Sequence, residues 1–532
     1  MQPRLDAPLP LWMIFPVVFA ALYASHFTLL RLPYYWDEAG YYIPAAWDFF
    51  RTGSLIPVTT LNNAHPPLPS IYLALWWKAS GFYPEVTREA VLMVAALGLL
   101  AVWRLAMRLV GVAMVAFWTV VLTGLYPIWF AQSTLAHADI FAAACTLWGL
   151  VYALPGRDLN RDRKPIVAAV WFAAAALCKE TAIAIPLTLA VVSLVEGFRS
   201  SPPARFRLWR EAAWLASCVL PLAGWYAWHY AKTGLLFGNP EYLRYNAQAT
   251  IDPPRVLAAF THRILHLTAH MNMFVPVLMT FAAVLLLDPR PDAEGGERPT
   301  IGPADLRRIL LLLLVNALLF SVLGGALLTR YLLPMYPLVL LIAVTTFYRR
   351  VPYWNGLALF CAAAFMVGLF NNPPYGFAPE DNLAYAHVIR LHLAGIAQLN
   401  KLYRGATVLS AWPMTDELTR PELGYLKQPY DVYRIEDFTP AEIARAAAEA
   451  EKYSAALVFS TKFDPPPLIS FGPLGEAMDE RFFGLHHDMQ PEEIARRLGG
   501  TLEWKKEDQG QWVALIRFNR QFEAGVESRF SR

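Results

Sequence analysis

Pro33-Tyr34-Tyr35-Trp36-Asp37-Glu38-Ala39-Gly40-Tyr41-Tyr42 follows directly on an apolar run from Leu9 to Leu32. Two adjacent carboxylates among aromatic rings, at the end of a run long enough to cross a bilayer, place acid at a membrane surface. There the rings settle at headgroup depth while the carboxylates face water. Downstream, His65-Pro66-Pro67-Leu68 and Ala136-His137-Ala138-Asp139 again set polar groups beside apolar runs. Together these stretches read as a reaction centre that meets a lipid-borne substrate.

The whole chain fits that setting. Of its 532 residues 56% are hydrophobic and only 16% charged, and mean hydropathy is positive, which is the composition of an integral membrane protein. The net charge of +3 supplies no basic field, so a nucleic acid partner is excluded. Cys145, Cys178, Cys218 and Cys361 lie in or at the ends of apolar segments with no CxxC spacing, which argues against disulfides and a cysteine metal site. The first apolar run follows Arg4 but carries no A-x-A-like cleavage site, so it is expected to be a retained span.

Runs of roughly 20 apolar residues, enough for about 30 Å of hydrocarbon, fall near 9–30, 87–108, 111–128, 137–154, 165–178, 181–198, 211–231, 264–287, 308–328, 331–348 and 354–371, about eleven spans. The fifth and sixth meet at Lys179-Glu180, read as a tight hairpin with one long kinked helix as the competing count. Basic residues cluster after the fourth span (Arg157, Arg161, Arg163, Lys164), after the sixth (Arg199, Arg205, Arg207, Arg210), before the ninth (Arg307, Arg308) and after the tenth (Arg349, Arg350). With eleven spans all lie on one side, which the positive-inside rule makes cytoplasmic. The opposite, outer face then gathers the Asp37-Glu38 loop, Asp139 at the start of the fourth span, the Lys179-Glu180 turn and Arg330-Tyr331.

The first outer loop, 31–86, is too long for a connector. Leu68, Ile71, Tyr72, Leu75 and Trp76 in it fall at i, i+3, i+4, i+7 and i+8, the spacing of an amphipathic helix in the interface. Pro66-Pro67 sets its start. Past Asn371-Asn372-Pro373-Pro374-Tyr375-Gly376 the composition becomes that of a soluble domain. Ala406–Ala411 and Ala455–Ser460 read as buried strands and Thr439–Tyr453 as a helix. The expected fold is therefore an α-helical polytopic membrane module, residues 1–375, followed by an extracytoplasmic α/β domain, residues 376–532. No internal repeat, GxGxxG or P-loop occurs.

Sugar transfer from a lipid phosphate needs a base for the acceptor hydroxyl and cations for the phosphate charge, and little other help for a leaving group that is already a stable anion. Asp37, Lys179 and Arg330 are of the right types. In their order, Trp36-Asp37-Glu38-Ala39, His65-Pro66-Pro67-Leu68, Asp139, Lys179-Glu180 and Arg330-Tyr331-Leu332-Leu333-Pro334 resemble the GT-C class of polyprenyl-phosphate-sugar-dependent glycosyltransferases. Within that class the resemblance is to bacterial relatives of protein O-mannosyltransferases and of lipid A aminoarabinose transferases, over roughly residues 10–350. The resemblance implies Asp37 as general base or essential carboxylate, with Glu38 beside it, and Asp139 as a second carboxylate. It further implies His65, Lys179, Glu180, Arg330 and Tyr331 around donor phosphate and substrate. The implied partners are a polyprenyl-phosphate-sugar donor and an envelope lipid, glycan or protein acceptor, at the outer face of a bacterial inner membrane. Two positions depart from the aminoarabinose transferases: His65 stands where many have lysine, and Gly40 where many have arginine.

Each residue also has a structural role open to it. Glu38 could orient its neighbour, Asp139 could serve a helix N-terminus, Lys179 and Glu180 could neutralise each other, Arg330 and Tyr331 could be interfacial anchors, and His65 could cap its helix. No cofactor is required by this chemistry. A divalent cation on His65, Asp37, Glu38 and Asp139 is the one their ligand types allow, although no HExxH-like spacing supports it. A polytopic lipid or glycan transporter or flippase is the rival function; it would favour inverted repeats and midplane charges, whereas here the charges gather at one surface.

Overall fold

A computed structural model describes residues 10–157, 164–240, 244, 250–292, 295–466, 472–485 and 487–518. Arg4, Leu9, Arg161 and Arg163, and the end of the 376–532 segment, lie outside the described residues. The rest is a bundle of apolar helices followed by a five-stranded mixed sheet. Leu11–Leu29, Pro84–Leu109 and Glu180–Phe198 are each long and apolar enough to cross a membrane. Helices open repeatedly on proline, at Pro84, Pro165, Pro202, Pro253 and Pro303. The missing N–H costs nothing there because the first turn has no carbonyl to receive it.

Pro84–Leu109 is the central post, packed against Leu11–His26, Ala113–Leu125 and Ala138–Ala153. The last of these lies tightly on Pro165–Cys178 because its contact face is small: a Cβ on Gly149 would sit 2.5 Å from the Phe172 ring. The Lys179-Glu180 break is a hairpin. Asp305 accepts from the Gly156 N–H, upstream of the first arm, while Arg308 pairs with Glu196 near the end of the second. The end of the helix that packs along the first arm and the end of the second arm therefore meet the same turn, and Lys179-Glu180 lies away from it.

Three expected spans need correction. The run 264–287 is not one helix: Pro253–Asn272 and Phe274–Leu286 meet at 100°. Met271 and Asn272 adopt positive φ at this break, and the Asn272 side chain donates to the Ala364 carbonyl at 2.7 Å. The segment 211–231 belongs to two helices, Pro202–Ala216 and Val219–Thr233. The tenth begins at Tyr336, leaving Arg330 and Tyr331 in a single 3₁₀ turn, Thr329–Leu332, ahead of it. In the first loop Leu68–Ser80 is helical as expected. Leu73, Ala74 and Trp77 face the protein, while Leu75, on the apolar stripe, points away from it.

Beyond Trp354–Phe370 the chain passes through a short 3₁₀ turn, Pro379–Asp381, into the helix Ala384–Leu402. That helix covers the sheet formed by β1 (Thr407–Ala411), β2 (Asp431–Ile435), β3 (Ala455–Phe459), β4 (Thr501–Asp508) and β5 (Gln511–Arg517), in the order β2-β1-β3-β5-β4. β1 pairs in parallel with β2 and β3, and β5 in antiparallel with β3 and β4. β1 and β3 are the two expected strands, and Pro440–Ala448 lies in the expected helix. The sheet domain is docked on the bundle: the Tyr425 hydroxyl donates to the Tyr34 carbonyl at 3.0 Å and Arg420 to that of Thr59 at 2.6 Å.

Candidate active site

Glu38 and Arg88 hold the acidic loop. Glu38 is fully buried, and its carboxylate accepts from the Tyr35 N–H at 2.9 Å, the Ala136 N–H at 2.6 Å and Arg88 Nη1 at 2.6 Å. Arg88, itself buried, also donates to the carbonyls of Pro33 at 2.8 Å and Thr134 at 2.6 Å. One ion pair thus staples the loop carrying Asp37 to the segment leading into Asp139. Of the two neighbouring acids, Glu38 faces the protein and Asp37 faces the cavity.

Arg330 is the centre of the site. Its Nη2 donates to Asp37 Oδ2, its Nη1 to Glu380 Oε1, and its Nε lies 3.3 Å from Asp139 Oδ2. Asp139 in turn takes Lys179 Nζ on its other oxygen at 2.5 Å. That ammonium sits 3.9 Å from the centroid of the Tyr331 ring, a cation–π contact strengthened by burial. Asp37, Asp139, Lys179, Arg330 and Tyr331, 293 residues apart at the extremes of their contacts, therefore form one cluster. Next to it His65 Nδ1 lies 3.7 Å from Glu180 Oε2, with its ring stacked on Tyr42.

Two acids that the sequence reading passed over complete the cluster. Glu380 and Asp381 lie in the 3₁₀ turn after the last bundle helix. Asp381 accepts from the Thr329 hydroxyl and pairs with His270 Nε2 at 2.9 Å, and His270 Nδ1 contacts the Tyr375 hydroxyl at 3.1 Å. Burial pushes the Glu380 carboxyl up to about 8, with the Asp37, Asp381 and Asp139 carboxylates adding to the effect and Arg330 opposing it. Their sequence signal is faint, because an acidic pair after a final span is ordinary surface composition. Arg88 had a clearer one, as an arginine in the first turns of an apolar helix.

These groups border a cavity of about 2430 Å³. Its lining is in part apolar, with Leu265, Phe320, Leu327 and Val367, and in part charged, with Asp37, Lys179, Arg330 and Glu380. Such a space can receive a lipid chain and a polar group at once. Among the described residues no three His, Cys, Asp or Glu side chains gather as a metal site. His65 is paired with Glu180, and Asp37 and Asp139 close on Arg330, so the suggested cation ligands do not converge.

A polytopic bundle with a buried charge cluster opening onto a half-apolar cavity is the build of an integral membrane enzyme. Residues 64–225 match the dolichyl-phosphate-mannose-protein mannosyltransferase family. Among solved structures, ArnT from Cupriavidus metallidurans bound to undecaprenyl phosphate is similar at 14% identity, with 94% of this chain and 97% of that chain covered and a TM-score of 0.53. The apo state of that protein gives the same figures. The archaeal oligosaccharyltransferase AglB from Archaeoglobus fulgidus, in complex with an inhibitory peptide and a dolichol-phosphate, reaches a TM-score of 0.39 at 12% identity, over 97% of this chain and 74% of that one, too low to bear on the fold. No curated protein matches the chain in sequence. The fold is thus ArnT-like, and the family match over residues 64–225 carries the activity class, a membrane glycosyltransferase.

Proposed function

We propose that this protein moves a sugar from a polyprenyl-phosphate donor to an envelope lipid, glycan or protein acceptor, with inversion, at the outer face of a bacterial inner membrane. In this reading residues 1–375 form the membrane-spanning module with its basic clusters in the cytoplasm, and residues 376–532 lie outside. The similarity to ArnT bound to undecaprenyl phosphate supports a lipid phosphate donor.

The observation that carries the mechanism is the way Asp37 is held. Arg330 takes Oδ2, while Oδ1 has no partner among the described residues and the side chain is 23% exposed on the cavity side. Asp37 is therefore oriented and still has an oxygen free to accept a proton. The acceptor hydroxyl attacks the anomeric carbon as Asp37 takes its proton, and the polyprenyl phosphate departs from the opposite face of the sugar. Lys179, facing the cavity from its seat between Asp139 and Tyr331, offsets the charge gathering on the phosphate. Asp139 positions both cations, and Glu38 positions the loop. His65 and Glu180 border the same space from the side of the first-loop helix.

Single-turnover transfer from an undecaprenyl-phosphate-linked sugar, in membranes carrying the native acceptors, tests this. Asp37→Asn should be slower by about 10²–10⁴, the usual cost of a lost general base, while undecaprenyl phosphate still binds. Full turnover by Asp37→Asn would remove the carboxylate from this role.

A further inference from the structure

Beside Asp37 the cavity wall is aromatic, and one ring of it comes from the sheet domain. Trp412 follows β1 and reaches across to the acidic loop. Its ring centroid lies 5.1 Å from that of Trp36, nearly edge-on at 74°, and 6.2 Å from that of Tyr41. Gly40 makes the approach possible, since a Cβ there would fall 2.8 Å from Trp412 Cζ2. Trp36, Tyr41 and Trp412 are each partly buried and line the same cavity as Asp37.

Their polar ends are unused. The indole N–H groups of Trp36 and Trp412 and the Tyr41 hydroxyl have no hydrogen-bond partner among the described residues, and none is a buried orphan. Tryptophan and tyrosine set this way offer an apolar face and a polar end left open for a ligand, the arrangement for which they are enriched at interfaces. A ligand that supplied the partners would need flat C–H faces to lie on electron-rich rings and hydroxyl oxygens at its rim to accept from three donors. A sugar ring has both. A polypeptide fits less well, because it has no C–H face rimmed by hydroxyl oxygens and its backbone N–H groups bring further donors to a wall that already presents three.

We propose that Trp36, Tyr41 and Trp412 form a saccharide platform that seats a sugar ring of the acceptor with a hydroxyl toward Asp37, so that the acceptor is a glycan or glycolipid sugar and not a polypeptide. The proposal rests on Asp37 as the proton acceptor. A ring lying against the residues that flank this carboxylate is placed to give up a proton to it, and apolar lining residues such as Leu265 and Val367 remain for the donor's lipid. The sheet domain then contributes directly to the acceptor subsite through Trp412.

The test is saturation-transfer NMR on the full-length protein in nanodiscs. The probes are a set of neutral and amino-sugar tetrasaccharides, and Ser/Thr-containing hexapeptides serve as the competing class. Saturation should reach the ring C–H protons of at least one tetrasaccharide. Trp412→Ala should weaken that binding about tenfold, as expected for the loss of an aromatic stacking partner. Trp412→Phe, which keeps a ring but drops the N–H, and Gly40→Ala, which pushes the indole aside, should fall between. Undecaprenyl phosphate binding is measured on the same samples and separates this proposal from the parent reading. If the lipid phosphate binds and Asp37-dependent turnover holds, yet no tetrasaccharide signal depends on Trp412 or the hexapeptides bind there instead, the platform is overturned and the glycosyltransferase reading stands. If neither lipid phosphate nor saccharide binds, both are overturned.

Discussion

At one end of the bundle Arg330 is gripped by Asp37, Asp139 and Glu380, and only Asp37 is more than slightly open to solvent. At the other end Arg308 pairs with Glu196 and Arg349 with Glu297, whose side chains are 37% and 75% exposed. The further arginines there cap helix ends. Arg108 donates to the Leu154 carbonyl at 2.8 Å, Arg157 to Val110 at 2.6 Å and Arg298 to Tyr348 at 2.7 Å. Cations at helix C-termini complement unsatisfied carbonyls and the helix dipole, and they serve topology. The same residue types at the Arg330 end are withdrawn from water around a cavity, where acids outnumber the cations that hold them. Burying such a set is costly unless it is fully paired, so its presence marks a site.

Removing the hub should break this contrast most severely. Arg330→Ala leaves Asp37, Asp139 and Glu380 facing one another without their shared cation, and deleting one partner of a buried pair typically costs about 3–5 kcal/mol. We expect loss of turnover together with a clear drop in thermal unfolding temperature. Arg330→Lys, which keeps the charge but cannot reach three carboxylates with a planar fork, should be intermediate in both. Wild-type turnover and melting in Arg330→Ala would reduce the residue to an interfacial anchor.

Much of this end was legible because charge inside apolar sequence is conspicuous. Asp139, Lys179 and Arg330 stand out against runs of Leu, Ala and Val, and counting eleven spans in the sequence sets them with Asp37 on one face. What the sequence could not disclose is orientation. Asp37 and Glu38 are neighbours of like chemistry, and only the position of Arg88 turns one inward. Glu380 and Asp381 were hidden for the opposite reason, lying where charge is commonplace. In the sheet domain the fully buried β3 reads as an apolar run, whereas the edge strands β2 and β4, with mixed burial, carry the polar residues that edges need and leave no such trace. The bend near residue 271 depends on two positive-φ residues and a side-chain bond to a distant helix, which no local periodicity records.

A subtler way to sharpen the comparison is to titrate the site. Glu380 holds its proton up to about pH 8 in the folded protein, against an ordinary value of 4.5. Its proton uptake therefore favours the folded state most fully below pH 4.5, and that contribution is lost as pH rises through about 8. For function the same sign applies. Below pH 8 the neutral carboxyl leaves Arg330 with more charge for an anionic donor, and above it the carboxylate competes with the phosphate. Undecaprenyl phosphate affinity should fall by up to about tenfold per pH unit above pH 8, as one proton allows. Glu380→Gln should flatten that limb, and an unchanged pH profile in the glutamine variant would assign it to another group.

The smallest effect is expected at the opposite end. Arg349 pairs with Glu297, which is mostly in water, and also donates to the Arg298 carbonyl at 3.3 Å. Exposed pairs contribute about 0–1 kcal/mol because solvent screens them and ordering two long side chains opposes them. Arg349→Ala should accordingly shift the unfolding temperature only slightly and leave single-turnover transfer at the wild-type rate. The Arg290 N–H, which donates to the Arg349 carbonyl at 2.8 Å, and the neighbouring Arg350, which donates to the Leu287 carbonyl, keep this corner tied after the substitution. A loss of turnover comparable to that of Arg330→Ala, with melting unchanged, would mean that the two ends are coupled through the bundle and that exposure does not separate anchoring charges from working ones.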